Sequence, residues 1–446
     1  MARVSRFATA PLDIIDEIMS ACRDWHVDRV TGEVQNTNEI LDLFTRVGMA
    51  WTASYICQHW RQAILEIPSV WSQIIIFDCH MAKGRDGLNK LLELVLERSK
   101  AAPLTVYINS CEAGAGEFTQ ETLDKTLRML SAHLYHTQNL SFILAADTTS
   151  IISLASLAPS SLPMLRRLEP YLCIGGSSWH NHHVLSQVKD VKHLFSNAPR
   201  LVMASVSFSY PLVTIFQLPW SQIRYLKNSN PSAYAPDILR ILPLVPNLSQ
   251  LHTGHIHNSS AECLPEPTHL LFPSLLDLTI SFEDRDSFVR ILPLLEVPSL
   301  TDLVMSDYFS VDLVRSLITR SRCGPKLRTL HLYCPLKHEN LHADGIFSIL
   351  ELTPNVEDLS VSLLENSKGD VLLSLFMGEK EMSSLTIGSP CLLSKLSKLR
   401  LLIGGTPEGA IESFLLNAPV RYPSLISVDL YVYDLSYQHR TFEYRR

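Results

Sequence analysis

One pattern restricts this chain more than any other feature: a proline, one residue, then L-x-x-L-x-apolar, recurring along the C-terminal half. It reads PNLSQLHT from Pro246, PSLLDLTI from Pro273, PSLTDLVM from Pro298, PKLRTLHL from Pro325 and PNVEDLSV from Pro354. Later copies are KEMSSLTI from Lys380 and PSLISVDL from Pro423. The first apolar anchors are Leu248, Leu275, Leu300, Leu327, Val356 and Met382, separated by 27, 25, 27, 29 and 26 residues. Weaker copies anchor at Leu140, Leu165, Leu201 and Ile223, and SKLRLLI adds an irregular one at Leu396 or Leu399. Abundant leucine alone does not hold one phase across five successive gaps.

Self-similarity at roughly 20–29 residues around L-x-x-L-x-L is the signature of leucine-rich repeats, each unit one short strand and one helix. No unit buries its apolar side alone, so stacking builds a continuous core and a curved solenoid. The stretches between anchors fit the helix slot: DILRILPLV from Asp237, DSFVRILPLLE from Asp286, SVDLVRSLITR from Ser310 and GDVLLSLFM from Gly369 carry apolar residues at helical spacing. Several open with Asp or Ser, residues that cap helix N-termini. The expected fold class is therefore α/β, a solenoid over 136–435 with a parallel strand on one face and helices on the other, preceded by a connecting segment (81–135) and followed by a tail (436–446).

Composition narrows the function. The 446 residues carry 38 Lys and Arg against 45 Asp and Glu, a net charge of −7, which argues against nucleic acid as the main partner. Hydrophobic residues make up 46%, enough for a large core and against disorder as the main state. No apolar run approaches the roughly 18–20 residues that cross a bilayer, and the N-terminus has no apolar segment of secretory type. Nine cysteines without CxxC spacing read as reduced thiols of a cytoplasmic or nuclear protein. Proline (25) outnumbers glycine (17), the reverse of what phosphate-cradling enzymes need.

The first 110 residues follow other rules. PLDIIDEIM, from Pro11 to Met19, has the spacing of a short amphipathic helix with Leu12, Ile15 and Ile18 on one side. A polar stretch follows, and then YICQHWRQAI places Ile56, Trp60, Ala63 and Ile64 at helical spacing before Pro68 stops the helix and Trp71 packs after the turn.

This block resembles an F-box, the small helical module that docks proteins onto the Skp adaptor of SCF-type ubiquitin ligases. PLDIIDEIM stands for the family's opening L-P-x-E-I-L-x-x-I helix. ICQHWRQAILEIPSVWSQI is similar to the V-C-R-x-W-R…P-x-L-W form of fungal members, and LLELVLERSKAAPLTVYI (Leu91 to Ile108) resembles the segment that follows it. The chain departs from the family at Ala10, at Asp13, at Gln58-His59 and in an insertion over about 23–44, within a module spanning 10–80. The resemblance implies a non-catalytic substrate receptor that binds a Skp-type adaptor, through it a cullin, and an unknown target protein. The candidate adaptor contacts are Pro11, Leu12, Ile14, Ile15, Ile18, Ile56, Cys57, Trp60 and Trp71. Trp60 and Trp71 read better as internal struts, Leu12 and Ile15 better as contacts. The alternative is a repeat scaffold whose F-box-like helices only cap the solenoid.

Strand side chains alternate faces, so the residues between the repeat leucines line the sheet. The candidates for target binding are His252, Asp277, Asp302, His331, Tyr333, Asp358, Asp429 and Tyr431, a mixture of acids and aromatics suited to a protein surface. His180, His182 and His183, and the alternating His252, His255 and His257, lack ligand spacing, so neither a metal nor a cofactor is expected. No phosphate-binding glycine loop, nucleophile elbow or zinc-protease motif occurs, and Cys57 reads as an inert thiol.

Overall fold

The computed structural model describes residues 10–24, 53–77, 85–110, 120–145, 161–173, 193–206, 217–228, 232–258, 269–334, 343–363, 373, 376, 393–404, 406, 408–433 and 439–445. The chain divides into two compact units, one covering 1–207 and 211–219, the other 208–210 and 220–446. Each is a mixed α/β assembly whose strands pair in an open, mostly parallel sheet. The 23–44 insertion begins at the last backbone turn of the first helix and otherwise lies outside the described residues.

The first unit opens with helix α1 (Leu12–Asp24) and helix α2 (Gln58–Glu66). Cys57 caps α2: its backbone is extended and its sulfur accepts the Trp60 amide at 3.5 Å. Ile67 ends the helix in extended backbone, as the residue before a proline prefers, and Pro68 starts a single 3-10 turn ending at Trp71. The Trp71 indole donates to the Ile64 carbonyl at 2.8 Å, and the Arg98 guanidinium lies 4.5 Å above its ring. Two polar ties fix α1 against this turn: Ser69 Oγ donates to Asp16 at 2.6 Å, and the His59 ring pairs with the Ala10 carbonyl at 2.9 Å.

Strand β1 (Gln73–Phe77) follows at once and pairs in parallel with β2 (Leu104–Ser110) across helix α3 (Arg85–Ser99). Helix α4 (Gln120–Ser131) leads to β3 (Thr137–Ala145), then β4 (Arg167–Cys173) and β5 (Met203–Val206), all parallel in chain order. The sheet therefore begins at Gln73, and the described residues between 85 and 131 include α3, β2 and α4. Ile74, Ile75 and Ile76 are all enclosed, and a strand covered on both faces reads as a plain apolar run with no repeat phase.

The second unit contains β6 (Tyr225–Asn228), β7 (Ser232–Tyr234), α5 (Ala235–Ile241), β8 (Gln250–His257), β9 (Leu270–Leu271), β10 (Asp277–Phe282) and α6 (Arg285–Ile291). It continues with β11 (Leu295–Glu296), β12 (Asp302–Asp307), α7 (Val311–Ser321), β13 (Thr329–Cys334), α8 (Ala343–Leu350), β14 (Asp358–Leu363) and β15 (Lys398–Gly404). Helix α9 (Glu408–Arg421), β16 (Ser427–Tyr433) and β17 (His439–Arg445) complete it. The sheet order is β6-β8-β10-β12-β13-β14-β15-β16-β17, with β7 also on β8 and a separate β9–β11 pair. Among the described strands only β17 runs antiparallel, against β16, and it ends the strand order.

The repeat consensus now has a physical account. Each anchor amide bonds the carbonyl three residues back: Leu248 to Val245, Leu275 to Phe272, Leu300 to Val297, Leu327 to Gly324, Val356 to Thr353 and Leu425 to Tyr422, at 2.9–3.3 Å. The proline thus sits at the second position of a β-turn, where its fixed φ is already correct. The next two amides converge on one carbonyl of the preceding repeat, as Thr301 and Asp302 do on Leu276 at 2.8 and 2.9 Å. Beyond the turn, Leu251, Leu278, Leu303, Leu330, Leu359, Leu399 and Val428 share one register and are all buried. Each buried leucine contributes roughly 1.5–3 kcal/mol, so the stack is the principal source of stability.

Two expectations need correction. Glu357 O accepts the Ser397 and Lys398 amides, and β14 pairs directly with β15, so the rung after Val356 is anchored at Leu396 and not at Met382. KEMSSLTI lies outside the described residues. The α6 cap is Asp284, whose carboxylate accepts the Ser287 amide at 2.7 Å, while Asp286 and Asp237 fall in first turns. Ser310 precedes α7 without a side-chain capping bond.

Candidate functional site

Two surfaces carry the residues that the sequence singles out. On the helical module, Ile15, Trp60 and Trp71 are buried within the chain. Of the two residues expected as the better contacts, Leu12 is open and Ile15 is enclosed within the chain. The apolar side chains left open include Leu12 (46% exposed), Ile14 (43%), Ile56 (58%) and Leu65 (38%), with Pro11 exposed and Ile18 and Cys57 half-buried. Tyr55, beside Ile56, is exposed under the Arg61 guanidinium and was not anticipated, because it lies off the helical phase of the motif.

The second surface is the sheet face of the second unit opposite the buried leucines. Its first row, set by register, is Gln250, Asp277, Asp302, Thr329, Asp358, Lys398 and Ser427. The next row on that face is His252, Thr279, Val304, His331, Ser360, Arg400 and Asp429. The expected candidates all lie on this face, and several pair across strands. His252 Nε2 meets Asp277 at 2.9 Å, and His331 Nε2 meets Asp358 at 3.0 Å, each joining one strand's second row to the next strand's first. Asp302 instead accepts the Thr301 hydroxyl at 2.6 Å. The hydrogen bond from His331, with help from nearby Lys398 and Arg400, holds the Asp358 carboxyl below the usual carboxylate range.

Toward β17 the face becomes aromatic and cationic. Tyr333 and Tyr431 lie in the row beyond Ser360, with Tyr333 edge-on to His331 at 5.9 Å. Arg400 lies near the Tyr333 hydroxyl, which with the neighbouring acids favours its charged form, and stays 3.8 Å from Asp429, which Arg445 of β17 approaches to 2.6 Å. Arg400 was missed because its repeat copy is irregular, and Arg445 because its strand was read as tail.

A register shift between Thr279 and Ser281 inserts one residue into β8, so His252 opposes Thr279 and His255 opposes Ser281, and the two histidines lie on the same face despite their odd spacing. His255 Nδ1 lies 2.7 Å from Asp307 and 3.0 Å from Ser281 Oγ, and Ser281 also donates directly to Asp307. One imidazole nitrogen faces both partners, so no proton relay runs from serine through histidine to acid. His180, His182 and His183 lie outside the described residues. Among the described residues no group of three or more His, Cys, Asp or Glu is arranged to hold a metal ion, and no helix is long and apolar enough to cross a membrane. Burial pushes the Cys323 thiol up to about 11, far from an activated nucleophile. No family model and no curated protein matches this chain.

Proposed function

We propose that this chain is a non-catalytic substrate receptor of an SCF-type ubiquitin ligase, working in the cytoplasm or nucleus. In this reading α1 and α2 are an F-box that docks a Skp-type adaptor and through it a cullin. The repeats stack as a leucine-rich solenoid that holds a target protein, and transfer of ubiquitin occurs elsewhere through enforced proximity. The observation that carries it is the division of labour on the helices. Ile15, Trp60 and Trp71 close the module's own core, while Leu12, Ile14 and Ile56 remain as an apolar supply with no partner inside the chain's core. Large apolar side chains left open in this way mark interaction sites.

Co-expression with a Skp-type adaptor, followed by affinity capture of this chain, tests the reading. One-to-one recovery of the adaptor is expected, abolished by Leu12→Asp or Ile14→Asp with the fold retained. Absence of the adaptor from a folded, soluble preparation would overturn it. Ile15→Asp is unsuited to the test, because a charge in that buried position unfolds the module.

A capping role has its own support. Trp71 and Ser72 run directly into β1, and the Ser72 carbonyl accepts the Thr105 amide of β2 at 2.9 Å. A chain starting at residue 68 keeps β1 and separates the readings: aggregation of that truncation irrespective of adaptor favours the cap, and a monodisperse product favours the docking module.

A further inference from the structure

On the sheet face of the second unit, His331, Ser360, Arg400 and Asp429 are register neighbours on β13, β14, β15 and β16. Side chains so matched on adjacent strands project to the same side roughly 4.8 Å apart. The short Ser360 therefore forms the floor of a notch walled by two long nitrogen-bearing side chains. Its side chain is 0% exposed, and Ser360 Oγ has no hydrogen-bond partner. A buried hydroxyl left unsatisfied works against folding and marks a position where a ligand completes the bonding.

The groups around it are mainly donors. Arg400 lies beside the Tyr333 hydroxyl, which favours its charged form, and a guanidinium carries five N–H groups. Its closest carboxylate oxygen, on Asp429, is 3.8 Å away, beyond hydrogen-bond distance. Of the two bordering acids, Asp358 is bonded by His331 at 3.0 Å with Lys398 at 3.9 Å. Asp429 is ion-paired with Arg445 at 2.6 Å, which also faces Glu443, although its Oδ1 has no hydrogen bond of good geometry. A cationic side chain entering here would meet Arg400 first, whereas an oxyanion finds a planar fork of donors over a serine floor.

We propose that this notch receives a carboxylate, the Asp or Glu side chain of an extended acidic segment of the target, with Arg400 as the principal donor and Ser360 and Tyr333 completing the cradle. The proposal rests on reading this face as the target-binding surface and adds the chemistry of what it selects.

The test uses the full chain and three fluorescein-labelled peptides, alternating glycine with glutamate, lysine or phosphoserine, followed by anisotropy at physiological salt. The glutamate peptide binds, and Arg400→Ala weakens it about tenfold, the scale of a truncated interface anchor. Arg315→Ala, an exposed arginine on α7, leaves binding unchanged. Ser360→Ala weakens the peptide several-fold while raising the thermal midpoint, since it deletes an unpaired buried hydroxyl; a purely structural serine would not give both shifts. Equal or tighter binding of the lysine peptide, no binding of the glutamate peptide, or indifference to Arg400→Ala overturns the proposal. A preference of more than tenfold for the phosphoserine peptide replaces the carboxylate with a phosphate and overturns it as stated. Adaptor capture on the same preparation separates the two readings. Peptide loss with the adaptor retained sinks the notch alone, and adaptor loss with peptide binding retained sinks the ligase-receptor reading.

Discussion

The helical module and the repeat sheet solve the burial problem in opposite ways. The module concentrates its core in a few large side chains, with Ile15, Trp60, Ile64 and Trp71 enclosed and Leu12, Ile14 and Ile56 left outside. The sheet spreads its core over equivalent leucines, one per rung, and places its polar groups on the opposite face in cross-strand pairs. The module thus depends on individual residues and offers apolar surface, whereas the sheet tolerates change at any one rung and offers a patterned polar surface. That contrast fits the proposed pairing of a docking element with a recognition array.

The sharpest way to break the comparison is Trp71→Ala. It removes the indole that bonds Ile64 and stacks under Arg98, and a loss of about 3–5 kcal/mol is expected for a buried tryptophan. Hydrogen exchange should show the amides of α1 and α2 opening while those of β10 to β14 keep their protection. Equal loss in both regions would remove the distinction.

Gly324→Ala probes the sheet side. An added Cβ would lie 2.1 Å from the Leu352 carbonyl oxygen, so the backbone between repeats must shift, at about 1–3 kcal/mol. Denaturant unfolding measures it, and an unchanged midpoint would mean that the repeats are looser than their register implies.

The smallest effect concerns pH. Asp358 has a depressed pKa through His331, so its contribution is present above its unfolded value of about 3.9 and is lost as pH falls through the folded value. His331→Ala removes the first cause of that shift. The difference in thermal midpoint between wild type and variant should therefore shrink as pH drops below about 4. A difference that stays constant from pH 5 to pH 3 would show that the pair does not act through Asp358.

The two regions also differed in how far sequence revealed them. The repeat leucines were legible because each serves one role, a turn anchor or a rung, at fixed offsets from a proline. Strand β1 was not legible: its three isoleucines, Ile74, Ile75 and Ile76, are all buried and carry no phase. The rung after Val356 was ambiguous, since KEMSSLTI and SKLRLLI both fit the template within 20 residues and only the Ser397 and Lys398 bonds to Glu357 decide between them. On the sheet face the acids were legible as the polar positions of the repeat. Their partners were not, because His252–Asp277 and His331–Asp358 join residues 25 and 27 apart that only register brings together. The burial of Ile15 was not legible for a related reason: helical spacing puts it on an apolar side with Leu12 and does not say which of them faces inward.

Hydrogen–deuterium exchange of the full chain, with and without a purified Skp-type adaptor, tests the central claim most directly. The account predicts new protection confined to residues 10–24 and 53–71, around Leu12, Ile14 and Ile56, with the strands from β6 to β17 unchanged. Protection absent from those helices, or falling on the repeat strands instead, would contradict it.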